Sequence, residues 1–183
     1  MKIFIGSSSE QYPVVKEIRR DLLAKLQPND AEVVTWKDWF KRGDNYGLDT
    51  WTIIIKAIDY FDCAIMLLAG DDKVEFRDME CRSTRDNVLI ESGAFARAKG
   101  IEKVFLLIDK SDQYHIPSDY RGLNVIPFDY ERGADNPDAY KTMSEKILQI
   151  ETENIEKIVT TPIAGKYKEE RAFVKTQKRG KIK

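Results

Sequence analysis

Asp62-Cys63-Ala64-Ile65-Met66-Leu67-Leu68-Ala69 is the stretch that decides the fold. Its apolar residues follow one another without alternation, which is typical of a strand buried on both faces of a parallel sheet. Shorter runs rich in β-branched, aromatic or leucine residues predict four more strands, and Pro127 favours a sheet edge for the last one. These four strands are Lys2–Gly6, Glu32–Trp36, Lys103–Ile108 and Asn124–Phe128.

Segments with helical periodicity separate the strands. Gln11–Leu26 has an apolar stripe at helical spacing, and Leu48–Phe61 is predicted as a helix from its length and isoleucine spacing. A third helix begins at Asn87, and Asp138–Ile150 is the last. This alternation predicts a doubly wound α/β fold, a parallel five-stranded sheet with helices on both faces. Ligands of such sheets bind beyond the carboxyl ends of the strands.

Four predicted loops lie at that carboxyl edge. Ser7-Ser8-Ser9 follows the first strand, residues 36–47 follow the second, the charged segment 70–86 follows the third and residues 109–122 follow the fourth. The serine loop could bind a phosphate or ribose, but taken alone it is better explained as an N-capping loop. The segment after the second strand contains Trp36, Trp39 and Phe40, which could stack on a nicotinamide or adenine ring or serve as loop anchors.

Composition excludes several classes of protein. The 183 residues include 30 basic and 31 acidic side chains, so no broad nucleic-acid footprint is expected. Cys63 and Cys81 fit a reducing compartment, and a single histidine makes a histidine-based metal site or triad unlikely to form. The N-terminal apolar run is too short for a signal peptide or membrane span, which predicts a cytoplasmic protein. Neither a Gly-x-Gly-x-x-Gly nor a Walker sequence is present.

Glu91 is the candidate for chemistry, because it falls on the stripe that the third helix turns to the core. A buried carboxylate is costly, and pairing with Arg82, Arg85 or Lys99 is one explanation. The other is a reactive acid, with small neighbours at residues 92–94 and at Ala96 leaving space beside it. The helix N-terminus would then favour its ionised form. A carboxylate beside a cavity suits an oxocarbenium-like transition state, as in cleavage between a ribose anomeric carbon and a base nitrogen.

Arg82 and Arg85 follow the third strand and have two explanations. They could meet a diphosphate, or they could belong to a charged surface.

Three ordered motifs carry a family resemblance. They are Arg85–Phe95 (Arg-Asp-Asn-Val-Leu-Ile-Glu-Ser-Gly-Ala-Phe), Gly100–Leu107, and Ile116–Gly122 (Ile-Pro-Ser-Asp-Tyr-Arg-Gly). Together with the opening Lys-Ile-Phe-Ile-Gly-Ser-Ser-Ser-Glu, they resemble bacterial TIR-like domains of antiphage effectors, including TIR–STING and cyclic-nucleotide-gated proteins. The likeness covers residues 1–150 and implies a flavodoxin-like TIR fold.

The resemblance implies an NAD⁺ glycohydrolase that releases nicotinamide and ADP-ribose or a cyclic form, with NAD⁺ as substrate and no cofactor. Glu91 matches the catalytic glutamate, and Arg85, Asn87 and Asp119 match positions that line the pocket. The resemblance also places Phe4, Ser7 and Ser8 near the ligand. The loop at residues 42–45 matches the mobile TIR loop that controls access and assembly.

The resemblance also implies self-association through TIR–TIR contacts, because a neighbouring copy completes the pocket in such enzymes. Residues 151–183 are predicted as a charged linker or tail. Two explanations stay open: the stub to a cyclic-nucleotide sensor domain, or a solvated basic tail. Neither nucleic acid nor membrane is expected as a partner.

Two other functions fit the same residues. A nucleoside 2-deoxyribosyltransferase shares the flavodoxin-like sheet and uses a glutamate on a sugar anomeric carbon. A non-catalytic TIR module for oligomerisation or nucleotide binding would leave Glu91 as a paired structural acid.

Overall fold

A computed structural model of the chain describes residues 1–26, 31–110, 114–130, 132 and 135–160. Its strands are β1 Lys2–Gly6, β2 Glu32–Thr35, β3 Cys63–Leu68, β4 Asp72–Phe76, β5 Met79–Ser83, β6 Val104–Asp109, β7 Tyr114–His115 and β8 Val125–Phe128. Its α-helices are α1 Tyr12–Leu26, α2 Trp36–Phe40, α3 Thr50–Tyr60, α4 Asp86–Lys99 and α5 Pro137–Thr160. Short 3₁₀ helices form at Gly43–Asn45, Ile101–Lys103 and Ser118–Gly122.

The apolar run quoted above forms β3, the central strand of a five-stranded sheet in the order β2-β1-β3-β6-β8. All four neighbouring pairs are parallel. Every residue of β3 is buried, as its unbroken apolar sequence predicts. Strand β8, which contains Pro127, lies at an edge of the sheet. The prediction of a parallel, five-stranded α/β fold is confirmed.

Side chains alternate between the two faces of this sheet. Phe4 of β1 and Met66 of β3 point to the face covered by α3 and α4, where Ile54 and Phe95 join the same buried cluster. Helix α1 connects β1 to β2, and this connection runs along the sheet in the opposite direction to the connections that contain α3 and α4. Because crossover connections are right-handed, α1 lies on the other face. Its buried residues are those of the predicted stripe: Val14, Val15, Ile18, Leu22 and Leu26.

Local sequence signals set the helix ends near the carboxyl edge. Thr35 caps α2 by accepting a hydrogen bond from the backbone N–H of Asp38 at 3.2 Å. Asp49 caps α3 in the same way through the N–H of Thr52 at 3.0 Å. Gly100 ends α4 with φ at 96°, a conformation that residues with a Cβ atom rarely adopt.

Three predicted loops contain regular structure, so those predictions were wrong. The segment 109–122 contains β7 and the 3₁₀ helix Ser118–Gly122. The segment 70–86 forms the antiparallel hairpin β4–β5, which β7 extends into a separate three-stranded sheet. The segment 36–47 begins with α2, because the Thr35 cap starts a helix directly at the end of β2. The loop at residues 42–45 is partly 3₁₀ helix, and buried Asn45 donates to the Trp39 carbonyl oxygen at 2.8 Å.

The last helix was predicted to end at Ile150, but α5 continues to Thr160. The chain divides into two compact units, Met1–Ile147 and Leu148–Lys183. Within the second unit, residues 148–160 are helical. Residues 161–183, most of the predicted linker or tail, lie outside the described residues. Among the helices that the structure describes, none combines the length and apolar character that crossing a membrane requires.

Candidate functional site

A cavity of about 230 Å³ lies at the carboxyl edge of the sheet, beside α4. Three segments that are distant in sequence form its walls: the loop after β1, the region from α2 to the start of α3, and the first turns of α4. The cavity is thus where ligands of doubly wound sheets are expected. The lining residues are Ser7, Ser8, Ser9, Trp36, Phe40, Thr50, Arg85, Asn87 and Glu91.

The serine loop supplies hydroxyl groups to this cavity. Ser7 Oγ donates to the Ser8 carbonyl oxygen at 2.8 Å and accepts a hydrogen bond from Trp36 Nε1 at 3.1 Å. Ser8 is only 3 % exposed, and its Oγ atom has no hydrogen-bond partner of normal geometry. Ser8 interacts with the Glu10 carboxyl group, whose pKa is lowered by the Glu10 backbone N–H, by Arg85 and also by Ser8. The Ser8 hydroxyl can turn to a polar group of a ligand instead.

Trp36 and Phe40 form the aromatic wall. They lie four residues apart on α2 and therefore on the same side of the helix, with their rings edge to face and their centroids 5.9 Å apart. The bond from Trp36 to Ser7 ties the indole to the serine loop. A flat aromatic ligand could pack against this wall.

Glu91 lies on the buried stripe of α4 with Val88, Ser92 and Phe95, and only 9 % of it is exposed. Burial raises the pKa of its carboxyl group from 4.5 to about 7. The pKa thus shifts in the direction opposite to the one expected from the helix N-terminus, because burial disfavours the charged form. Glu91 is the sixth residue of a helix that begins at Asp86, and the dipole effect fades beyond the first turn.

None of the three cations considered as partners pairs with Glu91. Arg85 lines the cavity, but its Nη2 contacts Glu10 Oε1 at 2.9 Å and Asp72 Oδ1 at 3.2 Å. Arg82 donates to the Gly70 carbonyl oxygen at 3.1 Å. Among the described residues, no cation, Lys99 included, and no hydrogen-bond donor pairs with the Glu91 carboxylate. The explanation of Glu91 as a paired core acid is thus wrong.

The small residues after Glu91 have a different role from the one predicted. Ser92 Oγ donates to the Leu89 carbonyl oxygen at 2.8 Å, and the Tyr120 hydroxyl donates to the same oxygen at 2.5 Å. A Cβ atom at Gly93 would lie 3.3 Å from that hydroxyl. These small side chains therefore make room for Tyr120 rather than for the cavity. The space beside Glu91 comes from the serine loop, α2 and α3.

Comparison with known proteins matches residues 2–130 to the family described as "CAP12/Pycsar effector protein, TIR domain". This match covers more than half of the chain and includes every residue that lines the cavity. The chain belongs to this family.

Individual relatives agree with the family match. A CD-NTase-associated protein 12 from Niabella drilacis is 40 % identical over 134 residues, which is 70 % of this chain and 39 % of the relative. The Pycsar effector protein XpPycTIR from Xanthomonas perforans is 35 % identical over 136 residues, 74 % of this chain and 42 % of the relative. A CD-NTase-associated protein 12 from Sphingobacterium faecium is 36 % identical over 135 residues, 74 % of this chain and 38 % of the relative. The chain thus spans about two fifths of the length of these relatives.

Of the predicted site residues, the fold of this CAP12/Pycsar TIR domain brings Ser7, Ser8, Arg85, Asn87 and Glu91 to one cavity. Their assigned roles in binding and catalysis stay predictions. The structure also separates the three aromatic residues that were predicted either to stack on a ring or to anchor the loop. Trp36 and Phe40 line the cavity. Trp39 is an anchor: it is buried, and its Nε1 donates to the Ile53 carbonyl oxygen at 3.1 Å.

Phe4 and Asp119 lie outside the cavity lining. Phe4 has no exposed surface and stacks on Phe95 at 5.2 Å between ring centroids, one turn beyond Glu91. The side chain of Phe4 points from β1 into the core, where it packs against α4 through Phe95. Asp119 is exposed on the 3₁₀ helix Ser118–Gly122, where Ser118 Oγ donates to its Oδ1 at 3.4 Å. Its role in binding stays a prediction.

Sequence reasoning did not single out Thr50. This residue begins α3 directly after the cap Asp49 and lines the cavity opposite α4. The Asp-Thr-x-Thr pattern at residues 49–52 marks a helix start, and helix starts near the carboxyl edge are where cavity residues collect.

A second, larger cavity of about 630 Å³ opens where β3, β6 and β8 end. Glu10 lines it, and the salt bridge from Glu10 to Arg85 joins the linings of the two cavities. Arg82 belongs to this second cavity and not to the first. Carboxylates are numerous there, yet the described part of the chain contains no group of three side chains placed to bind a metal.

Proposed function

We propose that this chain is an NAD⁺ glycohydrolase, the effector domain of a bacterial antiphage defence protein. The observation that carries the proposal is the buried Glu91 carboxyl group, which lines a cavity and makes no ion pair or hydrogen bond in the described structure. An acid in that position costs stability, and a role in chemistry would explain why it is there.

Ionised Glu91 would act on the ribose that carries the nicotinamide. As the N-glycosidic bond breaks, the anomeric carbon and ring oxygen develop positive charge, and the bond electrons leave with neutral nicotinamide. A carboxylate of low exposure stabilises that charge strongly, because little water screens it. Water then adds to the anomeric carbon and loses a proton, which gives ADP-ribose. In a cyclic product, a nucleophilic atom of the same ADP-ribose unit would form the bond to the anomeric carbon in place of water.

The other lining residues have separate binding roles in this proposal. Ser7 and Ser8 offer hydroxyl groups to the ribose, and Asn87 offers an amide one turn before Glu91. The wall of Trp36 and Phe40 would stack on the nicotinamide ring. Arg85, at the edge shared with the second cavity, is placed to meet a phosphate after exchange with Glu10 or Asp72.

The pKa of Glu91, about 7, determines when the site is active. In the free protein the carboxylate form becomes dominant only above that pH. The positively charged nicotinamide ring of NAD⁺ favours the ionised form once it binds. We therefore expect kcat/KM to rise with pH through about 7 and then to level off.

Cavity size supports a requirement for assembly. At about 230 Å³, the Glu91 cavity is smaller than the roughly 300–1,000 Å³ of most ligand pockets. It can enclose the nicotinamide riboside part of a dinucleotide. The rest of the dinucleotide would need a further protein surface to bind it. A neighbouring copy would supply it, and a cyclic-nucleotide sensor, fused or separate, would drive that assembly in the cell.

The test is to incubate concentrated protein with NAD⁺ and to identify the products by chromatography and mass spectrometry. Wild-type protein should release nicotinamide, and Glu91→Gln should reduce the rate about 10²–10³-fold through loss of transition-state stabilisation. Glu102→Gln, which changes an exposed glutamate just beyond α4, is the matched control and should retain the wild-type rate.

Two outcomes would overturn the proposal. Exchange of bases on deoxynucleosides with NAD⁺ left intact would assign the site to a nucleoside 2-deoxyribosyltransferase. Intact NAD⁺ in a folded, assembled wild-type sample would leave a binding or oligomerisation module.

A further inference from the structure

The outer edge of β4 is free in the structure. The small sheet has the order β4-β5-β7, and within the described residues no strand pairs with β4 on its far side. An edge strand presents backbone N–H and C=O groups that another strand can bond. β4 has the sequence Asp72-Lys73-Val74-Glu75-Phe76.

The turn that joins β4 to β5 fixes which groups face outward. Arg77 and Asp78 form a two-residue loop with φ at 53° and 62°, as in a type I′ hairpin turn. In such hairpins the residues that close the turn bond each other, and bonded pairs then alternate along the ladder. Phe76, Val74 and Asp72 therefore bond inward to β5. Lys73 and Glu75 direct their backbone N–H and C=O groups to the free edge.

The charges of the hairpin are poorly matched within one chain. Lys73 lies directly opposite Arg82, and Glu75 lies directly opposite Glu80, so both exposed pairs set like charges face to face. Such pairs destabilise a sheet. Within the described residues, one diagonal contact compensates, at 3.5 Å between Lys73 Nζ and Glu80 Oε1, and both side chains are at least 70 % exposed.

We propose that β4 pairs antiparallel with β4 of a second copy of the chain, about a twofold axis through Val74. In that register Lys73 lies opposite the partner's Glu75, and Glu75 lies opposite the partner's Lys73. The same two residues direct their backbone groups outward, so each facing pair exchanges two hydrogen bonds. The two small sheets join into one of six strands.

The charge pattern specifies a second copy as the occupant. Lysine and glutamate on an edge strand oppose pairing with an unrelated strand, which would have to match both charges in register. The β4 sequence meets that condition with itself, because its charges are complementary when reversed about Val74. A twofold contact between identical edges is also closed, so it does not propagate into a fibre.

This pairing does not rest on NAD⁺ cleavage, and its measurement involves no substrate. The contact is a single strand edge, smaller than a standard stable interface, so the dimer is expected to be weak and to form at high protein concentration. Asp72 at the end of β4 bonds Arg85 of the Glu91 cavity, so the contact lies close to the proposed site.

Charge reversal tests the proposal, with the 183-residue chain and its variants studied by sedimentation velocity at low salt, up to about 1 mM, the weak limit of a specific contact. In a dimer of Lys73→Glu, each position 73 and the partner's position 75 are both glutamate, so the facing pairs repel. In a dimer of Glu75→Lys, the same facing pairs are both lysine. Within the hairpin each change instead turns a like-charged pair into an opposite-charged one. The hairpin should therefore stay folded while pairing is lost, and circular dichroism checks the fold.

Wild-type chain should dimerise with rising concentration, and each single variant should stay monomeric over the same range. An equimolar mixture of the two variants should dimerise again, because glutamates at positions 73 and 75 of one chain then face lysines of the other. The double variant Lys73→Glu with Glu75→Lys should also recover. Monomeric wild type at all concentrations, single variants that dimerise like wild type, or a mixture that stays monomeric would each overturn the proposal.

Discussion

Replacing Glu91 by glutamine should stabilise the folded chain above neutral pH. The carboxyl group is buried without a partner in the described structure, so its ionisation in the folded state has a cost that the unfolded state lacks. Glutamine has nearly the same shape and does not ionise. The variant isolates the cost of the charge from the packing of the side chain.

The pKa gives the size of the effect. A rise from 4.5 to about 7 corresponds to roughly 3 kcal/mol at about 1.4 kcal/mol per pH unit. Below pH 4.5 Glu91 is protonated in both states, so wild type and variant should have similar stability. Between 4.5 and about 7 the folded state keeps a proton that the unfolded chain has lost, so the free energy of unfolding of wild type falls. Above about 7 the full difference is present.

Thermal unfolding followed by circular dichroism between pH 4 and pH 8.5 measures this difference. For a chain of this length, 1 kcal/mol changes Tm by roughly 2–4 °C, so Glu91→Gln should exceed wild type by roughly 6–12 °C at pH 8. At pH 4, where Glu91 is largely protonated in both states, the two curves should nearly coincide. Glu102→Gln, at an exposed glutamate, should follow wild type at every pH.

A Tm difference that does not change with pH would refute the reasoning. So would a variant that is less stable than wild type at pH 8, because that result requires a cation or donor to pair with the Glu91 carboxylate. Either outcome would also remove the observation on which the proposed function rests.

Two further predictions use contrasts between like residues. Trp39→Phe should lower the free energy of unfolding by about 1–3 kcal/mol in urea titrations, since it removes the buried hydrogen bond from the indole to the Ile53 carbonyl oxygen and part of the packing around it. Trp36→Phe should weaken NAD⁺ binding in calorimetry and should lower the stability less than Trp39→Phe does. A larger loss of binding in Trp39→Phe, or a larger loss of stability in Trp36→Phe, would contradict the proposed site. With a thiol reagent, Cys81 should react in the native protein and Cys63 only after unfolding, because burial raises the pKa of the Cys63 thiol to about 12. Fast reaction of both cysteines under native conditions would show that β3 is not closed to solvent.

The strands and helices of the large sheet followed from local sequence. The unbroken apolar run of β3 and the stripe of α1 are properties of consecutive residues, and burial of those residues agrees with them. The hairpin β4–β5 was predicted as a loop because its charged residues give no apolar face to recognise. Pairing between the two strands, and not side-chain burial, forms that element.

The site was only partly predictable for a similar reason. Glu91 was recognisable from its place on the inner stripe of α4, but the absence of a partner was not, because Arg85 is held by Glu10 and Asp72. Trp36 and Trp39 are indistinguishable as sequence, yet one lines the cavity and the other anchors the core.

By itself, the sequence determined the class of fold, the order of the main strands and helices along the chain, and the candidate acid. Tertiary structure alone decided the order of strands in the sheet, the walls of the cavity and the raised pKa of Glu91. The physical reason is range. Helical and strand periodicity depend on neighbours within a few residues, whereas solvation and charge around Glu91 depend on groups from Ser7 to Thr50 that only folding brings near it.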